Sequence, residues 1–496
     1  MVGSLTESGF VFDQPRTLTT TLVDTFDGRL HRAGLRLELR TSAGIELVLS
    51  GDDVVPAHLS VDVVPRVVTD LALGPFRSRI ASLIDIRALL PQVRVRMERS
   101  VGLLRDGSGK TVAIAELYEH VHIVDRPDID RFTTIEIHEV PGYAKQARRA
   151  RGMLQGVGLE ECELDTLAQC AAAADVDLAG FKATATVPLE ADMAALDGIR
   201  AVLVNLEVAI SANWQGAIDE TDTKFLHDLR IALRRTRTVL AASKSVIPAE
   251  VLDPAREGLA WLARATGAAR DLDVYLLEWK GYTDPLGVGA AVSLEPVRDV
   301  LVQHCADAHH ELGHALRSER ATALMTEWRR WLGEPVGSDG LPPRADDPLG
   351  KAVARRIDRA HRRLIDQGRL IGPDTPADDV HDLRKDAKKL RYLIECFSSM
   401  LPGRPRKRYV KQLKALQTNL GEHQDAEVHI ALLRSLTPEL VSADADANTM
   451  VAVGELIQRL EQTRLAARAE FAERFADYDS PTTQRSFDAL IEAIAT

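Results

Sequence analysis

The chain has 496 residues, of which 45% are hydrophobic and 27% are charged, and its formal net charge at pH 7 is −11. This length allows two to four domains with cores of their own. The acidic balance excludes a protein that coats a polyanion with its whole surface. It still allows one local positive site, because nearby charges set the field that a ligand feels.

The cysteines and the first residues favour a cytoplasmic protein with reduced thiols. The four cysteines show no metal-ligand spacing and no disulfide framework. The N-terminal sequence MVGSLTESGFVFDQP lacks the basic start and apolar core of a signal peptide. No uninterrupted apolar run reaches the roughly 18 residues that span a bilayer, so we expect no contact with membranes.

Six segments before residue 180 alternate apolar and polar side chains, the pattern of strands with one buried face. They are Leu35–Thr41, Ile45–Gly51, His58–Val64, Val93–Leu104, Thr111–Val124 and Thr133–Val140. The sequence RDGSGK joins two of them and is typical of a hairpin turn. The order predicts an antiparallel sheet or tunnel-like barrel, with helices to follow near residues 144–154 and 164–174.

After residue 180 the apolar residues recur with helical periodicity. The predicted helices lie near residues 197–216, 221–243, 254–280, 293–332, 348–369, 377–400, 404–434 and 448–476. The loop GEPVGSDGLPPRADDPLG is rich in Pro, Gly and Asp and is typical of a hinge between two halves. The whole chain therefore predicts an α+β protein, with a first domain at 1–180 and an all-α domain at 190–496.

The helical region contains an internal duplication. His227, Asp228, Leu229 and Arg230 correspond to His381, Asp382, Leu383 and Arg384 at a constant shift of 154 residues (381 − 227). The same shift aligns two later Gly-x-x-x-Asp sequences, which begin at positions 267 and 421. A gapless match over this distance indicates two copies, at about 190–335 and 345–480, with about four helices in each.

One helix in each copy carries a ladder of basic residues. At 100° per residue, His227, Arg230, Arg234 and Arg237 share an arc of about 80°, next to an apolar stripe. In the second copy the equivalent arc holds His381, Arg384, Lys388 and Arg391. Each helix therefore buries one face and presents a row of cations on another.

The row of like charges favours a multivalent anion as its partner. Like charges four residues apart destabilise an isolated helix by a few tenths of a kcal/mol per pair. Arg suits phosphate because its planar guanidinium forms two parallel charge-assisted hydrogen bonds. A single basic helix face is more often solvated surface, but a second copy in register favours binding. Nucleic acid is the weaker candidate, since Tyr392 and Tyr409 do not interleave as base-stacking platforms.

The sequences FLHDLRIALRRTRTVL and VHDLRKDAKKLRYLIECF, with WLARATGAARDLDVYL and LKALQTNLGEHQDAEVHI, resemble the two halves of a CHAD domain, the conserved-histidine α-helical family. The resemblance covers about residues 190–480. It implies two four-helix bundles around a basic cavity that binds inorganic polyphosphate. The residues carried over by motif are His227, Arg230, Arg234, Arg235, Arg237, Arg270, His381, Arg384, Lys388, Lys389 and Arg391, and the basic segment 404–414 adds Lys411 and Lys414.

The second copy departs from the first at Gln424, which stands where the first copy has Arg270. This difference weakens the expectation of an anion contact there. For Asp271 and Asp425 we expect a structural role in orienting nearby guanidinium groups.

The strand order before residue 180 resembles a CYTH domain, the triphosphate-tunnel fold. The segments that carry the resemblance are VDTFDGRLHRAGLRLELR, VRVRMERSVGLLRDGSGKTVAIAELYEHVHI and TIEIHEVPG. Active members begin with Glu-x-Glu-x-Lys, whose carboxylates hold a divalent metal. The start of this chain lacks that motif, so the resemblance implies a degenerate domain without triphosphatase activity. The acidic strand keeps Glu136 and Glu139, with His138 between them, and the basic candidates for a tunnel are Arg36, Arg40, Arg94 and Arg96.

The sequence HELGH at His310–His314 matches the His-Glu-x-x-His pattern of zinc proteases. No convincing third ligand follows it, so a polar bundle face is the simpler interpretation. Incidental metal binding by His309, His310 and His314 remains open. Chelation by His227 and His381 is disfavoured because both lie among cations.

The sequence as a whole predicts a non-enzymatic protein that binds inorganic polyphosphate, with no cofactor and no metal. Association with polyphosphate granules in the cytoplasm is a further expectation. The alternative is a metal-dependent triphosphatase that acts through the CYTH-like domain, using unexpected metal ligands.

Overall fold

A computed structural model describes residues 2–7, 9–42, 44–51, 54–156, 158–182, 186–335, 341–443 and 445–495. The chain divides into two compact units, Met1–Lys182 and Ala183–Thr496. The first unit is built on an antiparallel sheet, and the second is helical. The predicted α+β class is confirmed. No helix in these described ranges is both long enough and apolar enough to cross a bilayer.

The first unit contains an eight-stranded antiparallel sheet. Its strands are β1 (Phe10–Phe12), β2 (Arg16–Asp24), β3 (Leu35–Thr41), β4 (Ile45–Gly51), β5 (Val54–Val61), β6 (Leu90–Arg105), β7 (Thr111–Ile123) and β8 (Phe132–Glu139). Their spatial order is β5-β4-β3-β2-β6-β7-β8, and β1 pairs with the far end of β6. The sheet is an open form of the expected barrel, since β5 and β8 are not neighbours in the strand order that the described residues define.

All six strands that alternation predicted are present, but β1 and β2 were missed. The sequence of β2, RTLTTTLVD, gives little contrast between its two faces because Thr occupies positions on both. The strand nevertheless occupies the centre of the sheet, between β3 and β6. Its pairing on both sides, rather than its local pattern, therefore determines its structure.

Five helices accompany the sheet. They are α1 (Val2–Glu7), α2 (Arg29–Arg32), α3 (Pro75–Ile84), α4 (Ala144–Gly156) and α5 (Thr166–Ala173). The last two were predicted within two residues at each end. Helix α5 begins after Asp165, whose carboxylate accepts a hydrogen bond from the backbone N–H of Ala168 at 2.9 Å.

The second unit is entirely helical in its described residues. Its first half contains α6 (Ala195–Ile218), α7 (Thr223–Ala242), α8 (Ala249–Ala265), α9 (Gly267–Thr283), α10 (Val288–Ser293), α11 (Glu295–Arg317) and α12 (Glu319–Gly333). Its second half contains α13 (Leu349–Gly368), α14 (Ala377–Cys396), α15 (Gly403–Ser442), α16 (Ala447–Tyr478) and α17 (Pro481–Ala495).

The duplication is visible in the helix boundaries. Helices α7 and α14 begin and end at positions 154 residues apart (377 − 223 and 396 − 242). The starts of α6 and α13, and those of α8 and α15, keep the same shift. The third helix is continuous as α15 but divided at Thr266 in the first half, where α8 ends and α9 begins.

Among the described residues the first half has seven helices and the second has five, against the four expected in each. The predicted helix over 293–332 divides at Ser318, whose hydroxyl accepts a hydrogen bond from the backbone N–H of Ala321 and so caps α12. Helix α17, beyond the predicted end of the second copy, was also missed. The periodic apolar pattern continues across the break at Ser318, which is why the sequence suggested a single helix.

The two halves share a hydrophobic core. Tyr275 and Trp279 of α9 pack with Leu301 of α11 and with Leu433 and Leu456 of the second half. Burial of a single large apolar side chain contributes about 1.5–3 kcal/mol. This shared core therefore fixes the positions of the two halves and, with them, the relative positions of α7 and α14.

Candidate functional site

Helix α7 exposes its basic face because its other face is buried. It begins after Asp222, whose carboxylate accepts hydrogen bonds from the backbone N–H groups of Lys224 and Phe225. Its buried apolar side chains are Phe225, Leu226, Leu229, Leu233, Val239 and Leu240. The cationic residues of the ladder lie beside this stripe, as the sequence predicted.

Helix α14 repeats the arrangement. Asp378 and Asp379 occupy its first turn, where the helix dipole favours acidic residues. Its buried apolar side chains include Val380, Leu383, Leu390, Leu393 and Ile394. Helices α7 and α14 pack against each other, so the two ladders belong to one region of the molecule.

The cationic residues of the two ladders face each other. The pKa of Lys388 falls to about 7 because the side chain is partly buried, and because Arg384 of α14 and Arg234 of α7 repel its charge. Within the part of the chain that the structure describes, no carboxylate forms an ion pair with Arg234 or Lys388. We call the facing residues Arg230, Arg234, Arg237, Arg384, Lys388 and Arg391 the basic site.

Two equivalent ion pairs lie at the edge of the basic site. Arg230 Nη2 lies 3.6 Å from Asp271 Oδ1 in the first half. Arg384 Nη2 lies 2.8 Å from Asp425 Oδ1 in the second half. This geometry agrees with the orienting role expected for the two aspartates.

Glycine makes room for both guanidinium groups. A Cβ atom at Gly267 would lie 3.6 Å from Arg230 Nη1, and one at Gly421 would lie 3.7 Å from Arg384 Nη2. An alanine Cβ would therefore be in ordinary van der Waals contact with each guanidinium group, and a longer side chain would compete with it for space. The Gly-x-x-x-Asp sequence therefore places one glycine under each arginine and one aspartate beside it.

Burial and nearby cations lower the pKa values of several groups around the basic site. The pKa of His227 falls to about 4 because the ring is partly buried and because Arg270 and Lys224 are nearby. Burial also lowers the pKa of Arg230 to about 10, with a further contribution from Arg234. His227 is therefore neutral at pH 7 and can donate a hydrogen bond without adding charge.

Sequence reasoning missed one cation of this region. Arg264 of α8 is exposed and lies close enough to Arg237 to lower the pKa of that residue, after burial and Arg234. Neither Arg237 nor Arg264 has an ion-pair partner among the described residues. The sequence could have indicated Arg264 by its position one turn before Gly267. The duplication does not support that choice, because the equivalent residue of the second copy is Thr418.

Two predicted residues lie beside the facing ladder residues rather than among them, and one of them, Arg235, shares Glu395 with Arg391. Arg235 points into a separate cavity of about 350 Å³, where its Nη2 atom lies 2.7 Å from Glu395 Oε2. Lys389 pairs with Asp386 at 2.8 Å and is largely exposed. Each follows a ladder residue directly in the sequence, so the helix rotates it by about 100° away from the basic site. Resemblance by motif includes both positions, and their role in binding stays a prediction.

The basic segment 404–414 is not joined to the basic site either. Lys411 is exposed on the third turn of α15, near Ser480 and Thr482. Lys414 is exposed, and among the described residues neither lysine has a side-chain hydrogen bond or ion pair. These two residues form an ordinary solvated surface.

Residues 206–434 match the sequence model of the CHAD domain family. This region is a CHAD domain. The CHAD domain family is linked to polyphosphate binding and is not a known catalytic family.

Two curated relatives also align with this chain. They are uncharacterized proteins of Mycobacterium tuberculosis, from strains CDC 1551 and H37Rv, and each is 26% identical over 231 residues. The aligned segment covers 43% of this chain and 41% of each relative. The match therefore spans less than half of the length of these relatives.

Two solved structures also align with this chain. The crystal structure of the CHAD domain from the plant Ricinus communis is 26% identical, with a TM-score of 0.49 over 59% of this chain and 95% of that chain. PptA from Streptomyces chartreusis is 19% identical, with a TM-score of 0.43 over 57% of this chain and 99% of that chain.

The helical unit that contains the CHAD domain also holds a compact group of metal-ligating side chains, outside the basic site. Asp273 of α9 lies next to Cys305 and His309 of α11. His309 Nε2 lies 2.8 Å from Asp273 Oδ1, and hydrogen bonds with Asp273 and Cys305 raise the pKa of His309 to about 10. The predicted histidines His310 and His314 lie instead on the exposed side of α11, with their Nε2 atoms 2.9 Å apart.

The sheet of the first unit encloses a cavity of about 210 Å³. Side chains from β2 to β8 line it, and they include Arg36, Arg40, Glu136 and His138. Arg94 and Arg96, which were also expected there, are exposed on the opposite face of β6. Arg99 takes their place because odd-numbered residues of β6, such as Met97, face the cavity.

The carboxylates of this cavity already have partners. Arg99 donates two hydrogen bonds to Glu116, at 3.1 and 2.7 Å. Glu38 forms ion pairs with Arg36 at 3.0 Å and with Arg40 at 2.7 Å. Asp165 also pairs with Arg36, at 2.5 Å, and Glu136 accepts hydrogen bonds from the backbone N–H and the hydroxyl of Thr166. Among the described residues, all four carboxylates that line the cavity therefore have partners. The predicted identity of this unit as a degenerate CYTH domain remains an interpretation of its sequence.

Proposed function

We propose that this protein binds inorganic polyphosphate along the basic site, without catalysing a reaction on it. The observation that carries this proposal is the approach of Arg234 and Lys388 from two different helices. Arg234 lowers the pKa of Lys388, and neither residue has a carboxylate partner among the described residues. Such repulsion raises the free energy of the folded protein, and a bound polyanion relieves it.

Unsatisfied donors support the same proposal. Arg384 Nε, Arg270 Nη1 and His381 Nδ1 are buried atoms without a hydrogen-bond partner among the described residues. Buried donors in native proteins nearly always have an acceptor, so each of these atoms requires one. Phosphate oxygens accept strong hydrogen bonds from guanidinium and imidazole groups.

The shape of the basic site favours a linear anion over a single phosphate. The cations of α7 and of α14 follow two helices, and successive rungs lie about 5 Å apart along each axis. A chain of phosphates can contact several rungs at once, whereas one phosphate reaches only one or two. Nucleic acid fits less well, because Tyr392 is buried and covered by Arg391, which leaves no open platform for a base.

A charge-reversal experiment tests the basic site. We expect Arg234→Glu with Lys388→Glu to reduce affinity for long-chain polyphosphate at least 100-fold in calorimetric titrations. The matched control is Arg256→Glu with Lys385→Glu, which makes the same change of net charge on α8 and α14 at exposed ion pairs. Equal binding by parent and test variant would exclude the basic site.

Two further measurements define the ligand. Affinity should fall steeply as salt increases, because several counterions are released on binding. Polyphosphate should bind more tightly than RNA of matched charge. If RNA binds equally well, the basic site is a general polyanion site. A basic site that binds polyphosphate would also account for association with polyphosphate granules.

The alternative of a metal-dependent triphosphatase is less well supported. Its cavity in the first unit holds Glu38 and Glu116 in ion pairs with arginine, which leaves their oxygens less available to a metal. An assay of phosphate release from triphosphate with Mg²⁺ or Mn²⁺ tests it. We expect no release above the buffer rate, and release that Glu136→Gln abolishes would overturn this expectation.

A further inference from the structure

Asp273, Cys305 and His309 form a second chemical cluster, away from the ladder residues. We infer that these three side chains form a site for a divalent transition metal, with zinc as the ion that their donor atoms fit best. The inference does not depend on polyphosphate binding.

The packing of α9 and α11 already holds the three potential metal-ligand atoms close together. Cys305 and His309 are four residues apart on α11, so both point towards the same side of the helix. Asp273 reaches them from α9, which packs against α11. The ligand atoms of all three side chains lie within 4.8 Å of one another.

The distances are close to those of a tetrahedral zinc site. Zinc lies about 2.0–2.3 Å from O, N and S ligands, which places two ligands of a tetrahedron about 3.4–3.7 Å apart. Cys305 Sγ lies 3.7 Å from Asp273 Oδ1. His309 Nε2 lies 2.8 Å from the same oxygen because a hydrogen bond joins them. If His309 Nε2 and Asp273 Oδ1 moved apart by about 0.6 Å, a zinc ion could bind between them.

The unpaired atoms of the cluster are an independent sign of a ligand. The Asp273 side chain is only 3% exposed, and among the described residues its Oδ2 atom has no hydrogen-bond partner, although Arg270 lies close enough for the Asp273 charge to act on its pKa. The His309 side chain is 9% exposed, and its Nδ1 atom also lacks a partner. A buried carboxylate with one free oxygen is costly unless a cation or a donor satisfies it.

Charge balance is consistent with metal binding. In the absence of a metal, a proton shared by His309 and Asp273 and the thiol proton of Cys305 complete the cluster. A divalent ion that replaces these two protons leaves the net charge unchanged. Binding therefore adds no uncompensated charge to this partly buried place.

The donor set also indicates the class of metal. One sulfur, one nitrogen and one oxygen favour zinc or a similar transition metal over Mg²⁺ or Ca²⁺, which prefer oxygen alone. Three protein ligands leave one coordination position open, and Cys305 is partly exposed, so water can reach it. The site differs from the predicted His-Glu-x-x-His pattern, since neither His310 nor His314 belongs to it.

Cobalt is a suitable probe, because a thiolate ligand gives Co²⁺ an intense near-ultraviolet charge-transfer band. The titration uses the full chain with His310→Gln and His314→Gln, which remove the exposed histidine pair on the same helix. We expect one equivalent of Co²⁺ to produce the thiolate band, and one equivalent of Zn²⁺ to abolish it. The same protein with Cys305→Ser should show no band.

A second measurement separates metal binding from misfolding. Zn²⁺ should raise the unfolding temperature of the His310→Gln, His314→Gln protein and should have no effect once Cys305→Ser is added. Circular dichroism should show equal helix content in both proteins. A cobalt band that survives Cys305→Ser, or the absence of any band in the parent, would overturn the inference.

Discussion

Arg384 and Asp425 form an ion pair of 2.8 Å at the edge of the basic site, where the side chain of Asp425 is 54% exposed. Its counterpart in the first half joins Arg230 and Asp271 at 3.6 Å. Each aspartate fixes one guanidinium group, while the next cation of each ladder, Arg234 or Lys388, has no ion-pair partner among the described residues. The duplicated sequence therefore produces duplicated geometry as well as duplicated charge.

Replacing Asp425 with Asn should strengthen polyphosphate binding. The change removes a negative charge that competes for Arg384 and that raises the pKa of Lys388. We expect a severalfold gain in affinity in calorimetric titrations at constant salt. Since Asp425 is 54% exposed, the free energy of unfolding should change by less than about 1 kcal/mol.

Asp271→Asn is the matched variant in the first half and should have a smaller effect, because its ion pair is longer. A loss of affinity in Asp425→Asn would show that orientation of Arg384 matters more than the added positive charge.

Arg234 and Arg235 should differ sharply although they are neighbours in the sequence. We expect Arg234→Ala to weaken polyphosphate binding at least fivefold with little effect on stability, because this side chain has no ion-pair partner among the described residues. Arg235→Ala should instead lower the free energy of unfolding by about 1–2 kcal/mol, because it leaves Glu395 without its closest partner.

Urea unfolding and calorimetric titration of both variants measure the two effects. Binding by Arg235→Ala should remain within about twofold of the parent, as expected for a change of one charge outside the basic site. An equal loss of affinity in the two variants would contradict the separation of these residues.

Polyphosphate binding should weaken as the pH rises through about 7. The pKa of Lys388 is about 7 in the folded protein, so this side chain loses its proton above that pH. The anion favours the charged form, and affinity should therefore decrease between pH 7 and 9. Lys388→Arg keeps its charge and should bind with little pH dependence over this range, which titrations at several pH values would show.

The same residue should make stability depend on pH. Since its folded pKa lies below the ordinary value of 10.5, the unfolded chain binds more protons between pH 7 and 10.5, and stability rises with pH there. Lys388→Met removes this charge and should be more stable than the parent at pH 6, by roughly 2 kcal/mol. The difference in urea unfolding should shrink towards pH 10, and a constant difference would contradict the lowered pKa.

Two helical glycines should respond oppositely to substitution by alanine. A Cβ atom at Gly216 of α6 would lie 2.3 Å from the ring of Phe225, so Gly216→Ala should lower the free energy of unfolding by about 1–3 kcal/mol. At Gly454 of α16 nothing lies within 4 Å, and Gly454→Ala should raise stability by up to about 1 kcal/mol. Urea unfolding checks both, and a stabilised Gly216→Ala would show that the helices separate easily.

The sequence by itself determined the features that depend on local periodicity. Alternation located six strands, and helical repetition located both ladders and the duplication that relates them. The missed strand β2 shows the limit of this signal, because threonines on both faces give no contrast. The missed break at Ser318 has the same origin, since a cap interrupts a helix without interrupting its apolar pattern.

Only the tertiary structure decided which cations have partners. The sequence presents Arg234 and Arg235 alike, but in the folded protein Arg234 has no ion-pair partner among the described residues, whereas Arg235 pairs with Glu395, 160 residues away. Asp273 and His309 are likewise 36 residues apart and come together only because α9 packs on α11. Periodicity gives the direction of a side chain on its own helix. The distance from that side chain to a side chain of another helix depends on how the helices pack around the shared core. That packing is a property of the whole chain.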